Sequence, residues 1–213
     1  DFRAFLKYCF ILDPPPGGSG HIRFEVWPYM NECIEALFSH RLITWLKSRQ
    51  TGASWLSAAY ALWTAQFKYG SKVVLISQGQ LEAKALLAKC HYIWEHLPAH
   101  LHLPLTVDNQ EVMSWGNNMV TALPSTAKAG RSSNNTLIIF DEAEYHEYLS
   151  DDFYSLKPTI DDNGGQIILI STSNKYKVAS LFKTLIRGSP ANGFFTMFYP
   201  YSVRPGRDED WYA

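Results

Sequence analysis

The stretch Thr44–Trp63, TWLKSRQTGASWLSAAYALW, decides how this chain is interpreted. It begins inside a short apolar run, LITWL, and continues into a segment whose apolar residues recur with helical spacing from about Ser54 onward. A strand, a turn containing Gly52 and a helix form the setting of a phosphate-binding loop of the pattern G-x-x-x-x-G-K-[ST]. In that setting, backbone N–H groups of the turn and of the helix N-terminus surround phosphate oxygens.

The lysine of this pattern is displaced in the chain. Ala53 stands at the lysine position, and Lys47 stands where the pattern has its first glycine. Both ends of such a loop converge on the same phosphates, so we expect Lys47 to supply the positive charge, with Arg49 as a second cation. The Ser54 hydroxyl stands where such loops ligate Mg²⁺, although an ordinary strand–turn–helix remains the competing interpretation. The candidate nucleotide-binding residues of this stretch are Lys47, Ser48, Arg49, Gln50, Thr51, Gly52, Ala53, Ser54 and Trp55.

Two adjacent acids follow a second apolar run, in NTLIIFDEAEYH. The run at 137–140 predicts a buried strand that delivers Asp141 and Glu142 to its carboxyl end. In nucleotide hydrolysis, Asp141 would hold Mg²⁺ and Glu142 would polarise the attacking water. The alternative is a helix N-terminus, which also favours acidic residues.

Hydroxyl and amide side chains follow a third apolar run, in GGQIILISTSN. We expect them to detect the γ-phosphate through hydrogen bonds, while a polar strand end without function is the alternative. Open α/β sheets bind their ligands at the carboxyl ends of their strands. The order of loop, acids and polar strand end therefore favours a nucleotide site that includes Ser171, Thr172, Ser173 and Asn174.

The remaining pattern predicts an α/β fold with a mainly parallel central sheet flanked by helices. The run KVVLIS is a further strand, and helical periodicity recurs in QLEAKALLAKCHYIWEHL and SDDFYSLKPTI. Gly116-Asn117 indicates a hairpin before the acid-bearing strand. The breaker cluster Pro14–Gly18 should separate a short N-terminal helix from the rest. We expect an N-terminal segment and linker over 1–26, the main domain over 27–200, and a tail or linker over 201–213.

Composition adds limits to these interpretations. The 213 residues are 46% hydrophobic and 18% charged, with a net charge of −1, so any nucleic-acid contact must come from a local patch. The three cysteines predict free thiols in a reducing compartment. No apolar run is long enough for a membrane span, and a first residue other than methionine predicts that the sequence is a fragment. Candidate DNA contacts, each equally readable as a solvated edge, are Lys68, Lys72, Lys84, Lys89, Lys175, Lys177, Lys183 and Arg187.

Three motifs together resemble a known family. LKSRQTGAS, AGRSSNNTLIIFDEAEY and IILISTSN are similar to the ATPase domain of the large terminase subunit, the motor that packages DNA into tailed-phage and herpesvirus capsids. The resemblance implies a P-loop NTPase fold of the additional-strand, catalytic-glutamate type, with ATP and Mg²⁺ bound. Some family members also carry the functional lysine at the front of the loop, as Lys47 does here.

The resemblance extends to further residues and to partners. It implies that Arg131 acts in trans on the ATP of a neighbouring subunit, and that WPYMNE contacts adenine through Tyr29, with Met30 at a position where the family commonly has glutamine. It also implies double-stranded DNA, a portal protein and a small terminase subunit as partners, a homo-oligomeric ring, no membrane, and a location in the host-cell cytoplasm. The family's C-terminal nuclease has no convincing metal-binding acids here, so we expect no nuclease activity.

Two other functions stay open. A helicase-like P-loop ATPase would be expected to show arginine-bearing motifs in a second motor domain, and none follows in this sequence. A nucleotide-binding but catalytically inactive scaffold would explain Ala53 as lost chemistry, although Asp141, Glu142 and Ser54 argue against it.

Overall fold

The computed structural model describes residues 1–13, 20–126 and 134–207. Within these residues a two-stranded hairpin accompanies an eight-stranded sheet. The hairpin consists of β1 (Phe10–Leu12) and β2 (His21–Arg23). The large sheet consists of β3 (Leu42–Lys47), β4 (Lys72–Ser77), β5 (Val107–Asp108), β6 (Val112–Trp115), β7 (Asn118–Pro124), β8 (Leu137–Asp141), β9 (Gln166–Ser171) and β10 (Phe195–Tyr199).

Helices cover both faces of this sheet. They are α1 (Phe2–Leu6), α2 (Pro28–Ser39), α3 (Ala53–Phe67), α4 (Gln80–Glu95), α5 (Leu149–Leu156), α6 (Pro158–Asp161) and α7 (Leu181–Gly188). One apolar cluster packs α1 to α4 against one face, and a second packs α5 to α7 against the other. Burial on both faces explains why the central strands are continuous apolar runs without alternation.

The strand order is β10-β3-β9-β8-β4-β7-β6-β5. Every neighbouring pair from β10 to β7 is parallel, and β7, β6 and β5 pair antiparallel. The α/β class with a mainly parallel sheet is therefore confirmed, and so is the hairpin, in which Trp115 lies opposite Asn118. β9 lies between β3, which leads into the loop, and β8, which leads into the acids, so it is the additional strand that the sequence implied.

Two expectations about local structure need correction. The N-terminal helix is not separate from the rest, because the Phe2 ring lies 5.3 Å from the Tyr60 ring and 5.5 Å from the Trp63 ring of α3. The cluster expected to separate it lies outside the described residues. The helix predicted from SDDFYSLKPTI is divided between α5 and α6 at Pro158, since proline supplies no N–H to continue the hydrogen bonding.

The three cysteines are free and buried, as expected. Burial raises the pKa of Cys33 to about 12 and that of Cys90 to about 12, so neither thiol is reactive in the folded chain. In the described part of the chain, every helix is too short or too polar to cross a lipid bilayer.

Candidate nucleotide-binding site

The loop after β3 has the backbone of an anion-binding turn. Gln50 and Gly52 both adopt left-handed conformations, with φ of 57° and 82°. Gly52 is the N-cap of α3, so the first N–H groups of that helix, beginning at Ala53, have no intrahelical acceptor. A Cβ atom on Gly52 would lie 2.6 Å from Met30 Cε, so the tight turn also leaves no space for a side chain. Loops of this kind, with left-handed residues before a helix, bind phosphate through backbone N–H groups.

Carbonyl groups on the outer side of this loop are held by distant residues. Arg207 Nη1 donates to the Arg49 carbonyl oxygen at 3.0 Å, and Arg204 Nη1 donates to the Gln50 carbonyl oxygen at 3.0 Å. The Tyr29 hydroxyl donates to the next carbonyl, that of Thr51. These bonds fix the loop without occupying its N–H groups.

Lys47 and Glu142 form the centre of the site. Lys47 Nζ lies 3.0 Å from Glu142 Oε1, and the two side chains are 6% and 35% exposed. Thr172 donates to Glu142 Oε2 from its N–H at 3.3 Å and from its hydroxyl at 3.4 Å, and the Ser171 hydroxyl donates at 3.4 Å. Burial tends to raise the pKa of Glu142, but Lys47 and these hydrogen bonds outweigh it and lower that pKa. Glu142 is therefore a carboxylate at neutral pH.

Asp141 at the end of β8 has an unsatisfied oxygen. The residue keeps part of its surface exposed, but its Oδ1 atom is buried and has no hydrogen-bond partner. Burial raises the pKa of Asp141, while the nearby Lys47 charge opposes that rise. An unpaired carboxylate oxygen fits a hard cation such as Mg²⁺, and Ser54 supplies a hydroxyl on the loop. Among the described residues, no group of three or more His, Cys, Asp or Glu side chains could hold a metal ion, so Mg²⁺ here would keep water or phosphate oxygens as ligands.

Two residues after Glu142, a second glutamate is completely buried. Glu144 is 0% exposed; its Oε1 lies 3.3 Å from Lys183 Nζ, and the Ser180 hydroxyl donates to its Oε2. Lys177 Nζ donates to its carbonyl oxygen at 3.0 Å. Lys177 and Lys183, both predicted DNA contacts, are thus engaged inside the domain, and the DNA-contact role of all eight candidates stays a prediction.

His146 also lies beside the acids. Its Nε2 donates to the Asp141 carbonyl oxygen at 2.8 Å, and burial lowers its pKa to about 4. The ring is therefore neutral at physiological pH and acts as a fixed donor that positions the backbone of Asp141. The sequence alone assigned this histidine no role, although it stands in the same motif as the two acids.

The four polar residues at the end of β9 divide into two pairs. Ser171 and Thr172 contact Glu142, as described above. Ser173 lines a small cavity beside α7, and Asn174 accepts the Tyr176 N–H at 3.0 Å through its Oδ1. Contact with a nucleotide at the loop is therefore supported for the first pair, while Ser173 and Asn174 face the α7 side.

A cavity of about 310 Å³ opens beside the loop. Part of its wall is the loop itself, and the rest comes from the β1–β2 hairpin, from the start of α2 and from the segment after β10. The lining residues are Ile11, Asp13, Ile22, Arg23, Phe24, Glu25, Trp27, Met30, Lys47, Gln50, Thr51, Gly52, Ala53, Ser54, Trp55 and Arg204.

This lining changes two sequence interpretations. Tyr29 is buried, packs 4.7 Å from the Tyr199 ring and does not line the cavity; Trp27 is the aromatic residue beside it. The tail, expected to be a solvated edge or linker, carries Arg204 into the cavity wall. Two arginines placed shortly after the last apolar strand were the available signal. Arg49 keeps an exposed side chain, and Arg131 lies outside the described residues.

The sheet order, the loop and the acids together define a P-loop NTPase fold of the additional-strand type. A strand lies between the loop strand and the acid strand, and all three end at the same edge of the sheet. The mainly parallel sheet has helices on both faces, as that class requires.

Comparison with known proteins makes this more particular. No protein-family model matches the chain, and no curated protein matches it by sequence. Among solved structures, the large terminase of bacteriophage HK97 matches with a TM-score of 0.71 and 15% identity, over 97% of this chain and 44% of that one. The ATPase domain of the Thermus phage P74-26 large terminase matches with 0.63 and 16%, over 82% and 81%. The large terminase of another thermophilic bacteriophage, in complex with ADP, matches with 0.60 and 7%, over 82% and 44%.

At these identities the similarity establishes the fold. The chain has the fold of a large terminase ATPase domain, as its motifs implied. It spans less than half the length of the HK97 protein and of the ADP-bound terminase.

Proposed function

We propose that this chain is the ATP-hydrolysing motor domain of a viral DNA-packaging terminase large subunit. The observation that carries the proposal is the Lys47–Glu142 contact of 3.0 Å. It joins the displaced lysine of the loop to the expected water-activating acid across the intervening strand β9. An ordinary strand–turn–helix has no reason to hold a nearly buried lysine at the same place as a left-handed glutamate (φ 52°).

Lys47 and the loop would bind the triphosphate of ATP. The backbone N–H groups at the start of α3 offer donors to phosphate oxygens, and Lys47 offers a charge. Phosphate oxygens would compete with Glu142 for Lys47, so binding would free the Glu142 carboxylate for a water molecule. The Thr172 N–H and hydroxyl would keep that carboxylate oriented, since both donate to its other oxygen.

Glu142 would then accept a proton from the attacking water. The water oxygen forms a bond to the γ-phosphorus, the bond from that phosphorus to the bridging oxygen breaks, and ADP and phosphate result. Asp141 and Ser54 would hold Mg²⁺, which when bound neutralises negative charge on the phosphates. The lowered pKa of Glu142 keeps it deprotonated before the reaction.

The remaining parts of the proposal concern the whole protein. We propose that ATP hydrolysis moves double-stranded DNA into a procapsid in the host-cell cytoplasm. The partners would be a portal protein, a small terminase subunit and further copies in a ring. Arg131 would reach the ATP of a neighbouring copy, and nuclease activity would be absent from this chain. The three phage proteins compared above are large terminases by name, and the shared fold supports the same role here.

The test is Mg²⁺-dependent ATP binding and turnover over a series of protein concentrations. We expect Lys47→Ala to abolish binding, and Glu142→Gln to bind ATP without hydrolysing it. Turnover that rises more than linearly with concentration, and is lost in Arg131→Ala, would support action in trans. Lys72→Ala is a matched control, because Lys72 begins β4 at the opposite edge of the sheet.

Two results would contradict the proposal. If the wild-type chain binds no nucleotide, or Lys47→Ala binds as well as wild type, the loop is not a phosphate site. If nucleotide binds but Glu142→Gln and wild type are equally inactive at every concentration, the catalytically inactive scaffold is the better description.

A further inference from the structure

Arg204 stands in the wall of the nucleotide cavity and is held there from three sides. Its Nη1 donates to the Gln50 carbonyl oxygen at 3.0 Å, and its Nη2 donates to Asp13 Oδ2 at 3.3 Å. Its Cζ lies 5.7 Å from the centre of the Trp27 ring. The side chain is 26% exposed, so a long and normally mobile cation is fixed in one orientation.

The sheet order shows which end of a nucleotide this residue would meet. β9 and β8, which carry Thr172 and Glu142, lie on one side of β3, and β10 lies on the other. A triphosphate whose last phosphate approaches Glu142 must therefore direct its ribose and base away from β9, toward the β10 side. Arg204 follows β10 and lies on that side, together with Trp27.

We propose that Arg204 binds the base and ribose end of the nucleotide, so that the segment after β10 is part of the ATP site. The inference rests on the proposed function and extends it to a residue of the segment that follows the sheet. An arginine has five N–H donors in a planar fork. The two hydrogen bonds to Gln50 and Asp13 account for two of them, which leaves donors and a flat face for a ligand.

Arg207 provides a matched control for the alternative, that Arg204 only braces the loop. Arg207 Nη1 donates to the Arg49 carbonyl oxygen at 3.0 Å, and its Nη2 donates to Gln50 Oε1. It therefore braces the same loop, but among the described residues it does not belong to the cavity wall. A brace should matter equally for every ligand of the loop, whereas a contact to base and ribose should matter only for ligands that have them.

The experiment measures the affinity of the full chain for ATP and for inorganic tripolyphosphate by displacement of a fluorescent ATP analogue. We expect Arg204→Ala to weaken ATP binding about tenfold, the scale of one lost charged hydrogen bond, and to leave tripolyphosphate binding within about twofold. Arg207→Ala should change both affinities by the same factor. If Arg204→Ala does not fold, Arg204→Lys keeps the charge, removes the planar fork and serves for the same comparison.

The outcomes separate this inference from the function on which it rests. Wild-type chain that binds neither compound overturns the proposed function. Wild-type chain that binds both, with Arg204→Ala weakening both equally or neither, overturns only the role of Arg204. A loss confined to ATP in Arg204→Ala, and not seen in Arg207→Ala, supports it.

Discussion

Two neighbouring carboxylates should respond in opposite directions to the same chemical change. Asp141→Asn and Glu142→Gln each replace a carboxylate by an amide of nearly the same shape. The pKa of Asp141 is raised by burial, against the pull of Lys47, so the folded chain disfavours its charged form. The pKa of Glu142 is lowered because Lys47 and hydrogen bonds outweigh burial, so the folded chain favours its charged form. Asp141→Asn should therefore stabilise the fold, and Glu142→Gln should destabilise it.

The structure sets the size of both effects. A buried polar group without a partner costs about 1–3 kcal/mol, and Asp141 Oδ1 is such a group. Since the residue keeps some exposed surface, we expect a gain near the lower end, about 1 kcal/mol, or about 2–4 °C in Tm for a domain of this size. Glu142→Gln leaves Lys47, 6% exposed, without its closest acid. We expect a loss of about 1 kcal/mol, below the figure for fully buried pairs because Glu142 itself is about a third exposed.

The assay is urea unfolding of both variants and wild type, without nucleotide or Mg²⁺, from mildly acidic to mildly alkaline pH. Wild type loses stability as the pH rises through the raised pKa of Asp141, so the advantage of Asp141→Asn should grow with pH. Glu142 stabilises above its unfolded pKa, and this contribution disappears as the pH falls through its lowered folded pKa, so the deficit of Glu142→Gln should vanish in acid. Asp141→Asn less stable than wild type at neutral pH would refute the reasoning about the unpartnered oxygen.

Two further substitutions test how the site is supported. Tyr29→Phe removes the donor to the Thr51 carbonyl, so we expect a loss of about 1 kcal/mol and severalfold weaker ATP binding; unchanged binding in a nucleotide titration would show that this bond does not fix the loop. Glu144→Gln removes the charge opposite Lys183 in a completely buried position, and we expect about 3 kcal/mol of lost stability in chemical denaturation, with an unshifted midpoint counting against a stabilising role for the pair.

Much of the fold follows from sequence because the central strands are buried on both faces. Continuous apolar runs indicate such strands, and the runs ending at Lys47, Asp141 and Ser171 were placed correctly at one edge of the sheet. The break at Pro158 was missed because periodicity continued across it. The docking of α1 depends on contacts between Phe2 and residues of α3, and no local pattern encodes a contact that distant.

The candidate site was predictable where a residue acts through its place in a motif. Lys47 and Glu142 are such residues, and the structure brings them together. It was not predictable where the cavity wall is built by segments far apart in sequence. The pattern around Tyr29 suggested an aromatic contact to the base, but the turn into α2 directs that ring into the core. The role of Arg204 depends on the parallel pairing of β10 with β3, which a single sequence does not reveal.

The braces of the phosphate loop have a consequence for how the chain matures. The hydrogen bond from Arg204 to Gln50 joins residues 154 positions apart, and that from Arg207 to Arg49 spans 158. Contacts of such sequence separation form late in folding. A nascent chain still lacking its residues beyond β10 would hold an open, unbraced loop, while the completed chain closes it. ATP, by binding only the finished arrangement, would then stabilise the end of folding and not its beginning.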